Sequence, residues 1–428
     1  IYDERNLVIQ IAPPTFIPLV PDRANAIRGV WDHGCNCIQA IEGQTEDKMK
    51  LQINRDVLSE AVSFAVKLLP QRTTLPILSG VVLHAGEGQL QLSSFDYEVS
   101  SSTRIPADVD EIGEALVSGR LLADIASRMP GDAVTLATDE NERLVVTSGS
   151  ARFELFTMPI DEYPALPEVP TWQGAVSGGD FSTAVAQVSV AASRDDVTPV
   201  ITGVQVEVTP EQLTFLATDR YRVAQRSIPW EGGEAETTTA LVPARTLTEV
   251  AKTFGHAETI KLSVVKTDDR EMVAFGTDDR LVTSLLIKGN YPPVRRLFPD
   301  SVPNYAVVNT AELMEAVRRV ALVLDRESPL RFTFNLDGVT LEAIGNEQAQ
   351  AQETVEAFLT GDEVVISMKP QFLIDGLSST QNEFSKLGFT KTDNPHKPGP
   401  VLITGQTSKN GDEPGDYRYL LQPNLLLR

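Results

Sequence analysis

The sequence is short of the residues that staple small domains, cross membranes or coat nucleic acid. Only two of its 428 residues are cysteines, Cys35 and Cys37, one residue apart. That spacing suits no intramolecular disulfide and excludes a stapled secreted scaffold, so a reducing cytoplasm is the expected compartment. No stretch approaches the ~20 apolar residues of a membrane-spanning helix, and the chain reads as soluble. Lys and Arg number 37 against 59 Asp and Glu, a net charge of −22. This excludes a surface that is basic all over and leaves room only for a local basic lining.

Signatures of catalysis are missing as well. There is no GxxxxGK[ST], GxSxG or HExxH, and Gly86-x-Gly88 has Gln91 where a third phosphate-loop glycine belongs. It reads as a hairpin turn. His33, His84, His256 and His396 stand apart without a repeated carboxylate partner, as surface or packing histidines do. The run from Asp32 through His33 to Cys35 and Cys37 crowds its potential ligands more closely than zinc sites do. The pairs Asp268-Asp269 and Asp278-Asp279 fall among turn residues, where solvated aspartates are common. We expect no enzyme, no cofactor and no metal site.

Residues 1–48, with prolines at 13, 14, 18 and 21 and no sustained period, read as an appendage with no fold of its own. From Met49 onward the chain repeats itself. Residues 76–105 lie over 199–228 without a gap, setting Pro76 on Pro199, Gly80 on Gly203, Leu90 on Leu213 and Asp96 on Asp219. A third, more diverged copy runs through 330–344 and 364–369. Each copy opens with apolar residues at helical spacing: Ala61, Val62, Ala65 and Leu69; Phe181, Ala184, Val185 and Val188; Leu313, Ala316, Val317, Val320 and Leu324. Hairpin strands follow, turning at 86–88, 209–211 and 337–338, then a second helix (121–129, 247–254, 372–377) and further strands. The fold class is therefore α+β, three tandem repeats of two helices on antiparallel sheet, over 49–168, 172–297 and 301–428, with linkers near 167–174 and 298–304.

A triplicated unit without catalytic residues suggests that geometry is the function, a ring being the natural assembly of similar units. Cations gather on and beside the helices: Arg55, Lys67, Arg72, Arg120, Arg128, Arg194, Arg245, Lys252, Arg318, Arg319, Arg326 and Lys369. Arg120 and Arg245 occupy equivalent places at the start of the second helix in two repeats. Cations so placed would line a common centre and attract a phosphate backbone there.

The threefold repeat, the stretches 72–78 (RTTLPIL), 217–222 (ATDRYR) and 291–296 (YPPVRR), and the closing Tyr419-Leu420-Leu421-x-Pro423 resemble the bacterial sliding clamps, the beta subunits of DNA polymerase III. The loop at 195–200 is similar to versions from high-GC Gram-positive bacteria, and the likeness spans 49–423. It implies the DNA clamp fold in a head-to-tail homodimer whose ring encircles duplex DNA and is loaded by an ATP-driven clamp loader. By holding the DNA polymerase III alpha subunit and other clamp-binding proteins near the primer end, such a ring confers processivity.

Position by position, the resemblance implies DNA contact by Arg72, Arg120 and Arg194; Arg245 and Lys369 follow from the repeat. It implies a partner-peptide pocket at Ile201, Thr218, Arg220, Tyr221, Arg222, Val223, Pro292, Arg296, Leu297, Leu420, Leu421 and Pro423, with Arg222 and Arg296 as rim donors. The ring seam matches Phe153, Leu155, Leu322 and Val323. The chain departs from the family where a Met-Pro-x-Arg-Leu ending is usual, carrying Gln422-Pro423-Asn424 instead. Two rival readings are a DNA-free peptide scaffold and a metal-dependent phosphodiesterase built on the paired aspartates.

Overall fold

The structure is a computed structural model, described over residues 48–69, 73–232, 237–267, 270–325, 328–344, 349–391, 398–411 and 416–425. Arg72, Arg326, Asp268, Asp269, His396 and the appendage through residue 47, with Cys35 and Cys37, lie outside the described residues.

The first module runs β1 (Lys50–Asn54), α1 (Arg55–Lys67), β2 (Gly80–Gly86), β3 (Gln89–Phe95), β4 (Val99–Pro106), β5 (Asp108–Glu111), β6 (Gly113–Ser118), α2 (Gly119–Ala126), β7 (Ala133–Thr138), β8 (Arg143–Ser148) and β9 (Ala151–Phe156). The second runs β10 (Gly174–Ser177), α3 (Gly178–Ser189), β11 (Gly203–Val208), β12 (Gln212–Thr218), β13 (Arg222–Pro229), β14 (Thr238–Pro243), α4 (Ala244–Phe254), β15 (Thr259–Lys266), β16 (Glu271–Gly276) and β17 (Arg280–Leu285). The third runs β18 (Tyr305–Asn309), α5 (Thr310–Val320), β19 (Leu330–Asn335), β20 (Gly338–Ile344), β21 (Gln350–Val355), β22 (Ala357–Thr360), β23 (Val364–Met368), α6 (Pro370–Thr380), β24 (Phe384–Phe389), β25 (Val401–Gln406) and β26 (Arg418–Leu421).

Local chemistry explains the elements. Asn54 caps α1, its side-chain oxygen accepting from the N–H groups of Asp56 (2.9 Å) and Val57 (3.3 Å), worth about 1 kcal/mol. The helix then buries Leu58, Ala61, Val62, Phe64 and Ala65. In the hairpin of β2 and β3, Gly88 sits at φ +70°, a conformation that glycine adopts without steric cost. The repeat register reaches the backbone itself: Tyr97 and its counterpart Arg220 both hold left-handed φ, 75° and 78°, in the turns after β3 and β12. The first helix of the third module, α5, is shorter than its periodicity suggests. It ends at Val320, and a single 3-10 turn (Ala321–Val323) carries the chain to Leu324.

The sheets do not respect the repeat boundaries. Among the described residues four sheets run β5-β1-β7-β8-β9, β10-β15-β16-β17-β4-β3-β2-β6, β14-β11-β12-β13-β26-β25-β24-β18-β22 and β21-β20-β19-β23. The second joins modules one and two through β4 and β17, pairing Thr103 with Arg280 and Val99 with Ser284. The third joins modules two and three through β13 and β26, pairing Arg222 with Leu421 and Gln225 with Arg418. Modules two and three share one buried core, which Phe64 of α1 also enters, while the first module keeps its own. Phe64 stacks on Phe254 with centroids 6.1 Å apart and lies under the Arg280 guanidinium at 5.3 Å.

One half-exposed histidine has a carboxylate partner of its own. His84 on β2 faces Glu114 on β6, its Nδ1 2.7 Å from the carboxylate. That hydrogen bond raises the imidazole pKa above its ordinary value. A raised histidine contributes stability that is complete below the unfolded value near 6.5 and is lost as pH climbs through the folded value. His84→Gln should therefore cost a few tenths of a kcal/mol at pH 6, because the pair is half-exposed, and almost nothing at pH 8.5. Thermal melts of both proteins at the two pH values measure the difference.

Candidate nucleic-acid interface and partner cleft

Helix ends divide the cations into two groups. The first helix of each module is capped by a side chain, Asn54, Ser177 or Asn309, and carries an acid in its first turn, Asp56, Asp180 or Glu312. The second helices do the opposite. No side chain caps α2, α4 or α6, and none has an acid in its first turn. Arg120 is the second residue of α2 and Arg245 the second of α4, both exposed, and Lys369 occupies the N-cap of α6. A cation at the positive end of a helix dipole costs 0.3–1 kcal/mol or so. Uncapped N–H groups beside a cation offer in return a place for an anion such as a phosphate.

Lys369 Nζ also lies over the Tyr221 and Phe372 rings, and six further cations pair with carboxylates. Arg55 pairs with Asp56, Lys67 and Lys252 with Glu249, Arg128 with Asp124, Arg318 with Glu315 and Arg319 with Glu353. Asp278, one of the candidate metal-binding aspartates, accepts from Lys261 at 3.0 Å. Among the described residues no group of His, Cys, Asp and Glu is arranged to hold a metal ion.

A cleft of ≈ 850 Å³ opens where modules two and three meet. It brings together four of the expected pocket residues, Ile201, Arg220, Tyr221 and Arg222, with the expected DNA contact Arg194 and with Asp219, Gln371, Phe372 and Asp375. Arg194 is exposed at its edge. Thr218 closes the turn below, its hydroxyl donating to Arg222 O at 2.7 Å. Val223 and Leu420 join Leu216 and Phe298 in a small apolar cluster behind the turn. Leu421 and Pro423 are buried, Pro292 is half-buried, and Arg296 and Leu297 are exposed.

Arg222 requires a correction. Sequence reasoning set it on the rim as a donor to a bound peptide, whereas it is only 7% exposed and already committed. Its Nε donates to Asp219 at 2.9 Å, and its Nη1 donates to Asp375 at 2.5 Å and to the Tyr419 hydroxyl at 3.2 Å. The guanidinium lies 4.3 Å from the centre of the Phe372 ring, which faces Tyr221 at 6.1 Å. Burial lifts the Tyr419 phenol above the usual tyrosine range, so it stays protonated and donates to Phe372 O at 2.8 Å. Arg222 is thus a clasp between modules, and it forms the cleft's wall.

The ring-seam residues also separate. Phe153 on β9 and Leu322 after α5 are exposed, at 43% and 83%. Leu155 points into the first module's core at 2% exposure, and Val323 packs against the core shared by modules two and three. Phe156 on β9, which sequence reading passed over, is 76% exposed. Phe372 and Asp375 were missed too. The repeat held a signal for Phe372, an aromatic at the start of the helix where α4 carries Thr246.

Comparison with known proteins decides the family. Models of the DNA polymerase III beta subunit match its N-terminal domain to residues 49–167, its central domain to 175–293 and its C-terminal domain to 295–403. The chain belongs to this family. The beta sliding clamp of Streptomyces coelicolor is 42% identical over 377 residues, 88% of this chain and 99% of that protein. That of Micrococcus luteus is 46% identical over 312 residues, 73% of this chain and 100% of its own length. A crystal structure of the DNA polymerase sliding clamp of Bacillus subtilis shares the fold with a TM-score of 0.80 at 24% identity, covering 89% of this chain and 100% of that one. The three-domain sliding-clamp fold accounts for the cross-module sheets, which a repeat of independent domains would not have.

The Arg222 clasp predicts a stability defect. Arg222→Leu leaves Asp219 and Asp375 close together without their shared cation and should cost 3–5 kcal/mol or so. Arg222→Lys should recover less than half of this, since one ammonium cannot serve two carboxylates and a hydroxyl at once. Urea denaturation of the two variants checks both figures.

Proposed function

We propose that the chain is a DNA sliding clamp, a homodimeric ring closed head to tail around duplex DNA, which performs no chemistry of its own. The observation that carries this reading is the repeated contrast between the helices: capped and acidic for α1, α3 and α5, uncapped and cationic for α2, α4 and α6. A local electrostatic cost repeated at equivalent places is well explained by a ligand that offsets it, and a helical polyanion presents phosphates at repeated intervals. Arg120, Arg194, Arg245 and Lys369, with Arg72, are the contacts we assign. They touch phosphates and no base edge, so the ring slides without reading sequence.

Strand pairing supports closure of the ring. Each internal seam joins the β4-type strand of one module to the β17-type strand of the next. The two strands of these types left at sheet edges are β9 in the first module and β21 in the third. Repeating the same junction between copies sets β9 of one against β21 of the other, a heterologous contact that closes into a ring and removes two exposed edges. Phe153, Phe156 and Leu322 supply the apolar surface, and the backbone of Leu155 lies on the pairing strand. In this reading the clamp domains are 49–168, 172–297 and 301–428, each with two helices on antiparallel sheet. The cleft at the second seam holds a short apolar peptide of the DNA polymerase III alpha subunit, the clamp loader or other clamp-binding proteins. The compartment is the cytoplasm.

Loaded onto nicked circular DNA by a clamp loader, the protein should stay bound and then slide off when the circle is linearised. Release from both forms alike, or degradation of the DNA in Mg²⁺, would count against the clamp. Replacing Arg120, Arg194 and Arg245 by Ala should reduce loading about tenfold or more in 150 mM salt and leave the melting temperature unchanged. Sedimentation of the unaltered protein should give twice the mass of one chain, and Phe156→Asp with Leu322→Asp should give one.

A further inference from the structure

The register that superposes 76–105 on 199–228 also superposes two clefts. The seam between modules one and two carries one of ≈ 410 Å³, lined by Leu68, Asp96, Glu98, Val99, Pro243, Arg245, Thr246 and residues 284–287. Its elements are the counterparts of those around Arg222: the turn after β3 stands for the turn after β12, and the start of α4 for the start of α6. Asp96 keeps the place and the turn hydrogen bonds of Asp219, but the neighbouring matched positions differ. Arg220, Tyr221 and Arg222 become Tyr97, Glu98 and Val99, and Phe372 becomes Thr246. Among the described residues lining it there is no aromatic ring, and the guanidinium present is that of Arg245.

What remains is an apolar slot with an acidic edge. Leu68, Val99, Leu286 and Ile287 form apolar walls. Asp96 is held in place because its Oδ1 accepts from the N–H groups of Glu98 (2.9 Å) and Val99 (2.7 Å). The turn is pinned to the next module as Leu285 N–H donates to Glu98 O at 2.8 Å. The Asp96 carboxylate and the backbone of Glu98 are therefore set before any ligand arrives, and Glu98 is exposed. Arg245 borders the cleft with the opposite charge, so a bound cation is drawn toward Asp96 and Glu98, which fixes the direction in which an occupant lies.

We propose that this cleft is a second docking site, which takes a short peptide segment where a lysine or arginine adjoins a bulky apolar residue. The apolar side chain fills the space between Leu68, Val99 and Leu286, and the cation meets Asp96 and Glu98. The two seams thereby differ in chemistry: the second cleft balances three arginines against three aspartates beside Tyr221 and Phe372, whereas the first sets Asp96 and Glu98 against Arg245 alone. The assignment does not depend on the ring or on DNA.

The test is fluorescence anisotropy of the full chain with a dye-labelled peptide, glycine-lysine-leucine-phenylalanine-glycine amide, and its twin with glutamate for lysine. Saturable binding is expected, with the lysine peptide about tenfold tighter than its twin. Glu98→Lys should invert that order, and Thr246→Phe, which puts a ring where Phe372 stands in the other cleft, should weaken both peptides about tenfold or more. Tyr221→Ala, confined to the other cleft, should change neither. No saturable binding, equal binding of the two peptides, or loss on Tyr221→Ala overturns the proposal. Should Thr246→Phe fail to fold, Glu98→Lys on the exposed turn decides alone.

Discussion

The antiparallel pairing of β4 with β17 and of β13 with β26 is the constraint on which the rest depends. An edge strand leaves a row of N–H and C=O groups without partners, and each seam satisfies such a row with the following module's strand. Pairing fixes register, and register fixes which side chains meet across the junction. Hydroxyls meet at the first seam, where Ser100 and Thr283 are 2.6 Å apart, and charges meet beside the second, where Arg222 reaches Asp375. Both clefts adjoin these seams because the turn leading into each pairing strand overhangs the helix that starts the next module's second half. Fold and candidate sites therefore follow from one hydrogen-bonded register.

The division between helices shows how a repeat acquires a function without catalysis. A helix whose only task is to cover a sheet is best served by a capping residue and an acid in its first turn, as α1, α3 and α5 are. Withholding both from α2, α4 and α6 and adding cations lowers local stability three times over. The buried faces bear that cost: Leu122 and Ile125 on α2, Leu247, Val250 and Phe254 on α4, and Leu373 and Leu377 on α6 hold the helices in place. The negative net charge works in the same direction, since an acidic exterior repels a polyanion that the uncapped helix ends attract.

Much of this was legible in the sequence, for definite reasons. Helices with strict apolar spacing and hairpins with glycine or proline turns announce themselves, because burial and turn geometry are local properties; the turns at 86–88, 209–211 and 337–338 are where they were expected. Arg120 and Arg245 were visible because the repeat aligned them. The role of Arg222 was not, since its partners Asp375 and Tyr419 lie more than 150 positions away in sequence and only the β13–β26 pairing brings them in. The same limit hid Glu114 from His84, Phe156 from the edge strand, and Phe372 from the cleft. Nothing local distinguishes Leu155, which faces the core, from Phe156, which faces out; strand register decides it.

The same register explains why the first and second modules, so alike in backbone, present different surfaces. Where the second module has Thr218, the first has Phe95, buried with Leu116 and Tyr163 in a small cluster of its own. The Phe95 N–H donates to the Tyr163 hydroxyl at 2.6 Å, and burial pushes that phenol up to about 12. The second module instead gathers Leu216, Val223 and Phe298 with Leu420 from the third. A packed core resists changes of volume, so repeats sharing one core pattern have little freedom to diverge inside. The turns that overhang the seams carry no such restriction. A change at the exposed positions there, such as Arg220-Tyr221 against Tyr97-Glu98, alters the charge and the depth of a cleft and leaves the pairing beneath it intact. Specificity on this scaffold is free to vary at the exposed turn positions, whereas Arg222, buried in its clasp with Asp219 and Asp375, is tied to stability.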